Sequence, residues 1–131
     1  MAQETILLVD DDEGLLRLHQ LALKARANFD VQVALSGQTA LELLERGRPD
    51  LVILDLMMPG MSGIDVCRWI RAQPAFATIP VVMLTGLVDP DAHLEARQAG
   101  ANDVWLKTIA PSELGTRIRQ LLNQAGSGGT Q

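Results

Sequence analysis

Cysteine is almost absent from this chain: Cys67 is the only one in 131 residues. A single thiol cannot close an internal disulfide, which suits a reducing cytoplasm. No apolar run approaches the ~20 residues that cross a bilayer. The opening "MAQETILLVDDDE" is acidic, where a secretory leader would be basic. A positive surplus is lacking too. Eleven Lys and Arg stand against 16 Asp and Glu, a net charge of −5, which argues against nucleic acid as a direct partner because phosphate contacts need a Lys/Arg surface. Only the stretch holding Arg117 and Arg119 is locally basic. Neither an internal repeat nor a domain boundary interrupts residues 1–125, which read as one domain. Residues 126–131, "GSGGTQ", have the composition of a flexible tail or linker.

What the chain does have is alternation. Apolar runs at 5–9, 30–34, 51–54, 81–84 and 104–106 predict strands. The segments between and after them, 12–27, 37–46, 63–73, 91–99 and 112–124, carry helical spacing. Ser36 is placed to cap one helix and Pro111-Ser112 to open the last, while Gly47 and Gly100 stand where helices end. Strand and helix in strict turn predict an α/β domain with a parallel sheet covered on both faces. The continuously apolar "ILLV", "LVIL" and "VVML" fit strands buried on both sides. In such sheets a ligand sits beyond the carboxyl ends of the strands, near the point where strand order reverses.

Those ends carry the polar residues. The first strand runs into Asp10, Asp11 and Asp12, the third into Asp55, the fourth into Thr85, and the fifth into Lys107. Parallel strands bring all of them to one edge. Three crowded carboxylates repel, and a hard cation relieves them; Mg²⁺ takes a few carboxylates, a backbone carbonyl and retained waters. With Lys107 and Thr85 added, the site suits a phosphoryl group, and a carboxylate can itself attack phosphorus.

The motifs "LLVDDD", "LVILDLMMPGMSG", "VVMLTG" and "AGANDVWLK" resemble those of two-component response-regulator receiver domains, over nearly all of residues 4–124. The resemblance implies a flavodoxin-like, doubly wound sheet of five strands in the order 2-1-3-4-5. It implies that Asp55 accepts a phosphoryl group from a phosphohistidine on a sensor kinase or phosphotransfer protein. Asp11 would bind Mg²⁺ directly, Asp10 through the metal's waters, and the Met57 backbone carbonyl would be another ligand. Thr85 would move inward to bond the phosphoryl oxygens and Lys107 would pair with them. A downstream effector or output domain would read the resulting change of shape. Such a domain catalyses its own phosphorylation and slow dephosphorylation without being a conventional enzyme. Two positions depart from the family pattern: Thr108 replaces the usual proline after the lysine, and Val104 replaces the usual aromatic switch residue.

Other readings stay open on the residues. "DDDEGLL" also resembles the opening of haloacid-dehalogenase phosphatases, with Asp10 as nucleophile and Asp12 as general acid, although the further acidic pair those enzymes need is missing. A degenerate receiver serving as a phosphorylation-independent interaction module is the third. Met57 and Leu87, two residues after Asp55 and Thr85, are expected either to shield an acyl phosphate from water or simply to fill an apolar rim. Asp12 is expected to cap the first helix, Trp105 to pack in the core, Cys67 to be a buried hydrophobe, and Trp69 to lie on the flank or outside of its helix. His19 and His93 are expected at the surface. Dimerisation through the fourth and fifth helical segments is compatible with the sequence.

Overall fold

The computed structural model describes residues 3–86 and 88–128. Among these residues five strands, β1 (Thr5–Val9), β2 (Asp30–Ala34), β3 (Leu51–Asp55), β4 (Val81–Thr85) and β5 (Asp103–Leu106), form one sheet. All pairings are parallel, in the order β2-β1-β3-β4-β5. Five α-helices alternate with them: α1 (Glu13–Ala27), α2 (Gly37–Arg46), α3 (Gly63–Ala72), α4 (Pro90–Gln98) and α5 (Pro111–Gly128). A short 3₁₀ turn, Pro74–Phe76, precedes β4. The backbone of α5 runs on to Gly128, so the segment expected as a tail begins helical.

Period-two alternation assigns the strands' side chains to two cores. Ile6, Leu8, Leu51, Ile53, Val82, Leu84 and Trp105 pack with Leu16 and Leu23 of α1 and Leu114 and Ile118 of α5. Leu7, Val9, Val52, Leu54, Val81 and Met83 pack with α2, α3 and α4 through residues such as Leu44, Ile70 and Ala96. Both faces of the sheet are therefore dry, which is why its central strands carry no polar residue until they end.

Local chemistry ends the helices where the sequence says. Asp12 Oδ1 accepts from the Leu15 amide at 3.1 Å and Ser36 Oγ from the Thr39 amide at 3.1 Å. At α3, Ser62 and Asp65 exchange side-chain bonds with each other's amides, a capping box. One glycine is fixed by contact. A Cβ on Gly63 would collide with the carbonyl oxygen of Asp55, so only glycine lets α3 start this close to the end of β3.

Candidate functional site

Register decides which strand ends meet. Val9 lies beside Leu54, Asp55 beside Leu84, and Thr85 beside Leu106. Asp10, Asp55, Thr85 and Lys107 therefore finish neighbouring strands at one edge. Counting along the alternation, Asp10, Asp55 and Lys107 share the side of the sheet covered by α1 and α5. Thr85 falls on the other side, with Met83 and Val104.

The acids are buried, and not symmetrically. Asp10 is 4% exposed and Asp55 3%, whereas Asp11 is exposed. Asp10 Oδ1 accepts from the Asp12 amide at 2.9 Å and its Oδ2 lies 3.3 Å from Lys107 Nζ. Asp55 Oδ1 lies 3.1 Å from the same Nζ and accepts from the Met57 amide at 3.3 Å. Asp55 Oδ2 is buried and has no hydrogen-bond partner among the described residues. An orphaned buried carboxylate oxygen is costly, and native proteins keep such groups where something else completes them.

Charge says the same. Burial first, and then repulsion from Asp10, push the Asp55 carboxyl up to about 7, against a weaker pull downward from Lys107. Burial by itself would lower the Lys107 ammonium, but the bonds and charges of Asp55 and Asp10 outweigh it and hold it above the usual lysine range. One ammonium among three carboxylates leaves the cluster short of positive charge. Ligand oxygens of Asp10, Asp11 and Asp55 lie within 4.8 Å of one another, close enough to share a single ion. The residues present thus fit a hard divalent cation.

Each expected site residue stands at or beside this edge. Lys107 and Thr108 are joined in trans, since no cis peptide occurs among the described residues. Val104 is half-buried and packs on the core beneath α2, α3 and α4. Trp105 faces the opposite core, 4% exposed, with its indole N–H donating to Asp103 Oδ2 at 2.9 Å. Cys67 is fully buried. Leu87 lies outside the described residues. Asp12 is occupied in capping α1, which removes the general acid that a phosphatase of the haloacid-dehalogenase kind would need.

Two expectations need amending. His19 is not on the surface: it is 3% exposed. It belongs to the inner stripe of α1 with Leu16 and Leu23, three residues after one and four before the other, a spacing that should have placed it inside. Burial there lowers its imidazole pKa, with Asp10 raising it and Lys107 lowering it more weakly. His93 is half-buried on α4 rather than fully outside. Trp69 does sit on the flank, half-buried against the Phe76 ring at 6.0 Å between centroids. The Met57 amide was missed as a contact of Asp55. Its signal was the turn "DLMMPG", which folds a backbone donor back onto the acid at its head.

Comparison with known proteins agrees with the geometry. DNA-binding response regulator MtrA of Mycolicibacterium smegmatis is 41% identical over 122 residues, covering 93% of this chain and 52% of that protein. Response regulator PleD of Caulobacter vibrioides is 40% identical over 116 residues, covering 88% of this chain and 25% of that protein. The chain therefore spans about half or less of these relatives. The structure of the Vibrio cholerae chemotaxis protein CheY4 superposes with a TM-score of 0.86 at 28% identity, covering 91% of this chain and 98% of that one. The family model for the response regulator receiver domain matches residues 6–119, a span that contains every strand end just described. With its strand order, its acidic edge and this match in agreement, the chain belongs to the response regulator receiver domain family.

Proposed function

We propose that this receiver domain works as a phosphorylation switch with Asp55 as its phosphoacceptor. The observation that carries the reading is Asp55 Oδ2: a buried carboxylate oxygen with no partner among the described residues, on an acid whose other oxygen is tied to Lys107 and the Met57 amide. A nucleophile needs one oxygen held and one lone pair free. Asp55 attacks the phosphorus of a phosphohistidine, the P–N bond breaks as the P–O bond forms, and the imidazole leaves with the bonding pair. Lys107 is placed to pair with the phosphoryl oxygens as they arrive. Thr85, at the end of the adjacent strand, supplies a hydroxyl to them. Asp10, Asp11, Asp55 and the Met57 carbonyl are the groups that would hold Mg²⁺, which when bound supplies the positive charge the cluster lacks.

The donor is a sensor histidine kinase or a histidine phosphotransfer protein. On α1, Leu18 is 49% and Leu21 60% exposed. They line a shallow groove of about 440 Å³ that reaches Pro111 and Ser112, just past Lys107 in the chain. This apolar flank, where α1 meets the start of α5, is where a donor protein would rest. The signal leaves through the Thr85 loop and α4, and a downstream effector or output domain reads it. Val104 offers no aromatic ring to rotate, so the Thr85 loop itself carries the change. A cytoplasmic setting fits the lone buried thiol.

Acetyl phosphate with Mg²⁺, followed by peptide mapping, tests the assignment. The expected result is a labile, Mg²⁺-dependent adduct on Asp55 that vanishes in Asp55→Ala. An adduct on Asp10 instead, or none at any Mg²⁺ concentration, would overturn it.

A further inference from the structure

The sulfur-bearing residues of the fold differ sharply in exposure. Met83 is 0% exposed inside β4, Met58 8%, and Met61 half-buried against the start of α2. Cys67 is fully buried with its thiol bonded to the Ala99 carbonyl, and burial pushes its pKa up, partly offset by Arg71 and Arg68. It offers no thiolate to an oxidant. Met57 is 63% exposed. It is also the residue whose amide holds Asp55 Oδ1. Among the described residues, the most exposed sulfur-bearing residue is thus two positions from the phosphoacceptor and bonded to it through its backbone amide.

We propose that Met57 is an oxidation site through which hydroperoxides shorten the lifetime of the phosphorylated domain. The inference rests on Asp55 being the acceptor and adds a control on that same site. The step balances without a cofactor. The thioether sulfur attacks the distal oxygen of a hydroperoxide, the S–O bond forms, the O–O bond breaks, and water or an alcohol leaves; sulfur loses two electrons and the peroxide gains them. An apolar thioether becomes a sulfoxide, whose oxygen is a strong hydrogen-bond acceptor. A thioether beside the acyl phosphate holds no water. A sulfoxide there holds one, close to the phosphorus it would attack. Water then adds to phosphorus, the P–O bond to Asp55 breaks, inorganic phosphate leaves, and the carboxylate is restored. Methionine sulfoxide is reducible enzymatically, so the effect reverses.

The test treats the whole chain with graded hydrogen peroxide, maps sulfoxides by peptide mass spectrometry, then labels Asp55 with acetyl phosphate and follows loss of the adduct. Each protein is compared with its own untreated sample. Met57 is expected to oxidise ahead of Met58, Met61 and Met83. The half-life of the adduct is expected to fall roughly three- to tenfold, the scale of one hydrogen bond gained on the way to the transition state. Methionine sulfoxide reductase should restore it, and Met57→Leu should be unaffected by peroxide. Oxidation of Met58, Met61 or Met83 ahead of Met57 would overturn the proposal. So would a Met57 sulfoxide with an unchanged half-life, or an equal loss of lifetime in Met57→Leu. If the untreated protein takes no label on Asp55, the acceptor assignment fails first and the inference falls with it; the sulfoxide map distinguishes that case.

Discussion

The two ends of the sheet each take charge out of water, and they do it in opposite ways. At the amino-terminal end of β4, Arg71 reaches from α3 into the loops. Its Nε donates to the Gly100 carbonyl at 3.0 Å, Nη1 to those of Ala77 at 3.1 Å and Ile79 at 2.7 Å, and Nη2 to Asn102 Oδ1 at 2.9 Å. Asn102 passes the link on to the Val81 amide at 2.8 Å. The guanidinium's planar fork suits this because it offers donors in several directions at once. At the carboxyl-terminal end, two buried acids share one ammonium and an oxygen is left over. The first cluster is complete and holds the fold. The second is incomplete, and its deficit of cation and donor is what makes it a site.

That contrast is broken most severely at Arg71. Replacing it with Ala leaves up to three carbonyls without this donor and Asn102 Oδ1 with the Val81 amide alone, and hydrogen bonds to a charged group contribute about 1.5–3 kcal/mol each before solvent compensates. Arg71 is half-buried, so the expected net loss is about 3 kcal/mol, read as a shift of the urea midpoint. Because the damage is remote from the acidic edge, folded protein should still label on Asp55. Loss of labelling without loss of stability would mean that the two ends are not independent.

The opposite sign is expected at the other end. The folded protein raises the Asp55 pKa to about 7, above the ordinary carboxylate value of 3.8, so it holds a proton that the unfolded chain releases. The stability this contributes is complete below the unfolded pKa and is lost as pH rises through that window. Asp55→Asn does not titrate there. In Mg²⁺-free buffer the variant should therefore gain on the parent as pH rises from about 4 to about 7, then run parallel to it. The gain should reach about 2 kcal/mol, less than the full shift implies because water reaching the edge beside the exposed Asp11 screens the ionised Asp55. A parent more stable than Asp55→Asn at the alkaline end, measured by urea unfolding, would show the cluster to be satisfied after all.

The sequence is legible where one rule governs each residue and opaque where several act together. The strands were legible because both faces are dry and the apolar runs stop where the edge begins, as "LVIL" does before Asp55. Strand order was not legible from periodicity; the family resemblance supplied it, and the pairing of β1 with both β2 and β3 bears it out. The site was legible as a list of strand-end residues. Its key asymmetry, one oxygen of Asp55 held and the other bare, depends on the path of a turn that composition does not specify. His19 was misplaced because a polar residue in an apolar stripe was read by its type and not by its position. Arg71 passed unnoticed, since its partners are three backbone carbonyls and one amide side chain in two loops and no motif marks them.

The smallest effect separates a cap from a catalyst. Asp12 follows the two acids that stand at the site and looks like a third member of "DDD", but its Oδ1 accepts from the Leu15 amide at the start of α1. Were it part of the chemistry, removing it would lower labelling of Asp55 strongly while leaving the fold nearly intact. As a cap, it should do the reverse. Asp12→Ala gives up an N-cap, typically about 1 kcal/mol, and some favourable interaction with the helix dipole. Asp12→Asn should recover most of that, because an amide oxygen can still accept from the Leu15 amide, although the charge is gone. The expected pattern is a urea midpoint that falls in Asp12→Ala and largely returns in Asp12→Asn, with both variants labelled on Asp55 at close to the parent's rate. A rate lost in both variants, with little change in midpoint, would return Asp12 to the reacting group and reopen the phosphatase-like reading of the first strand's end.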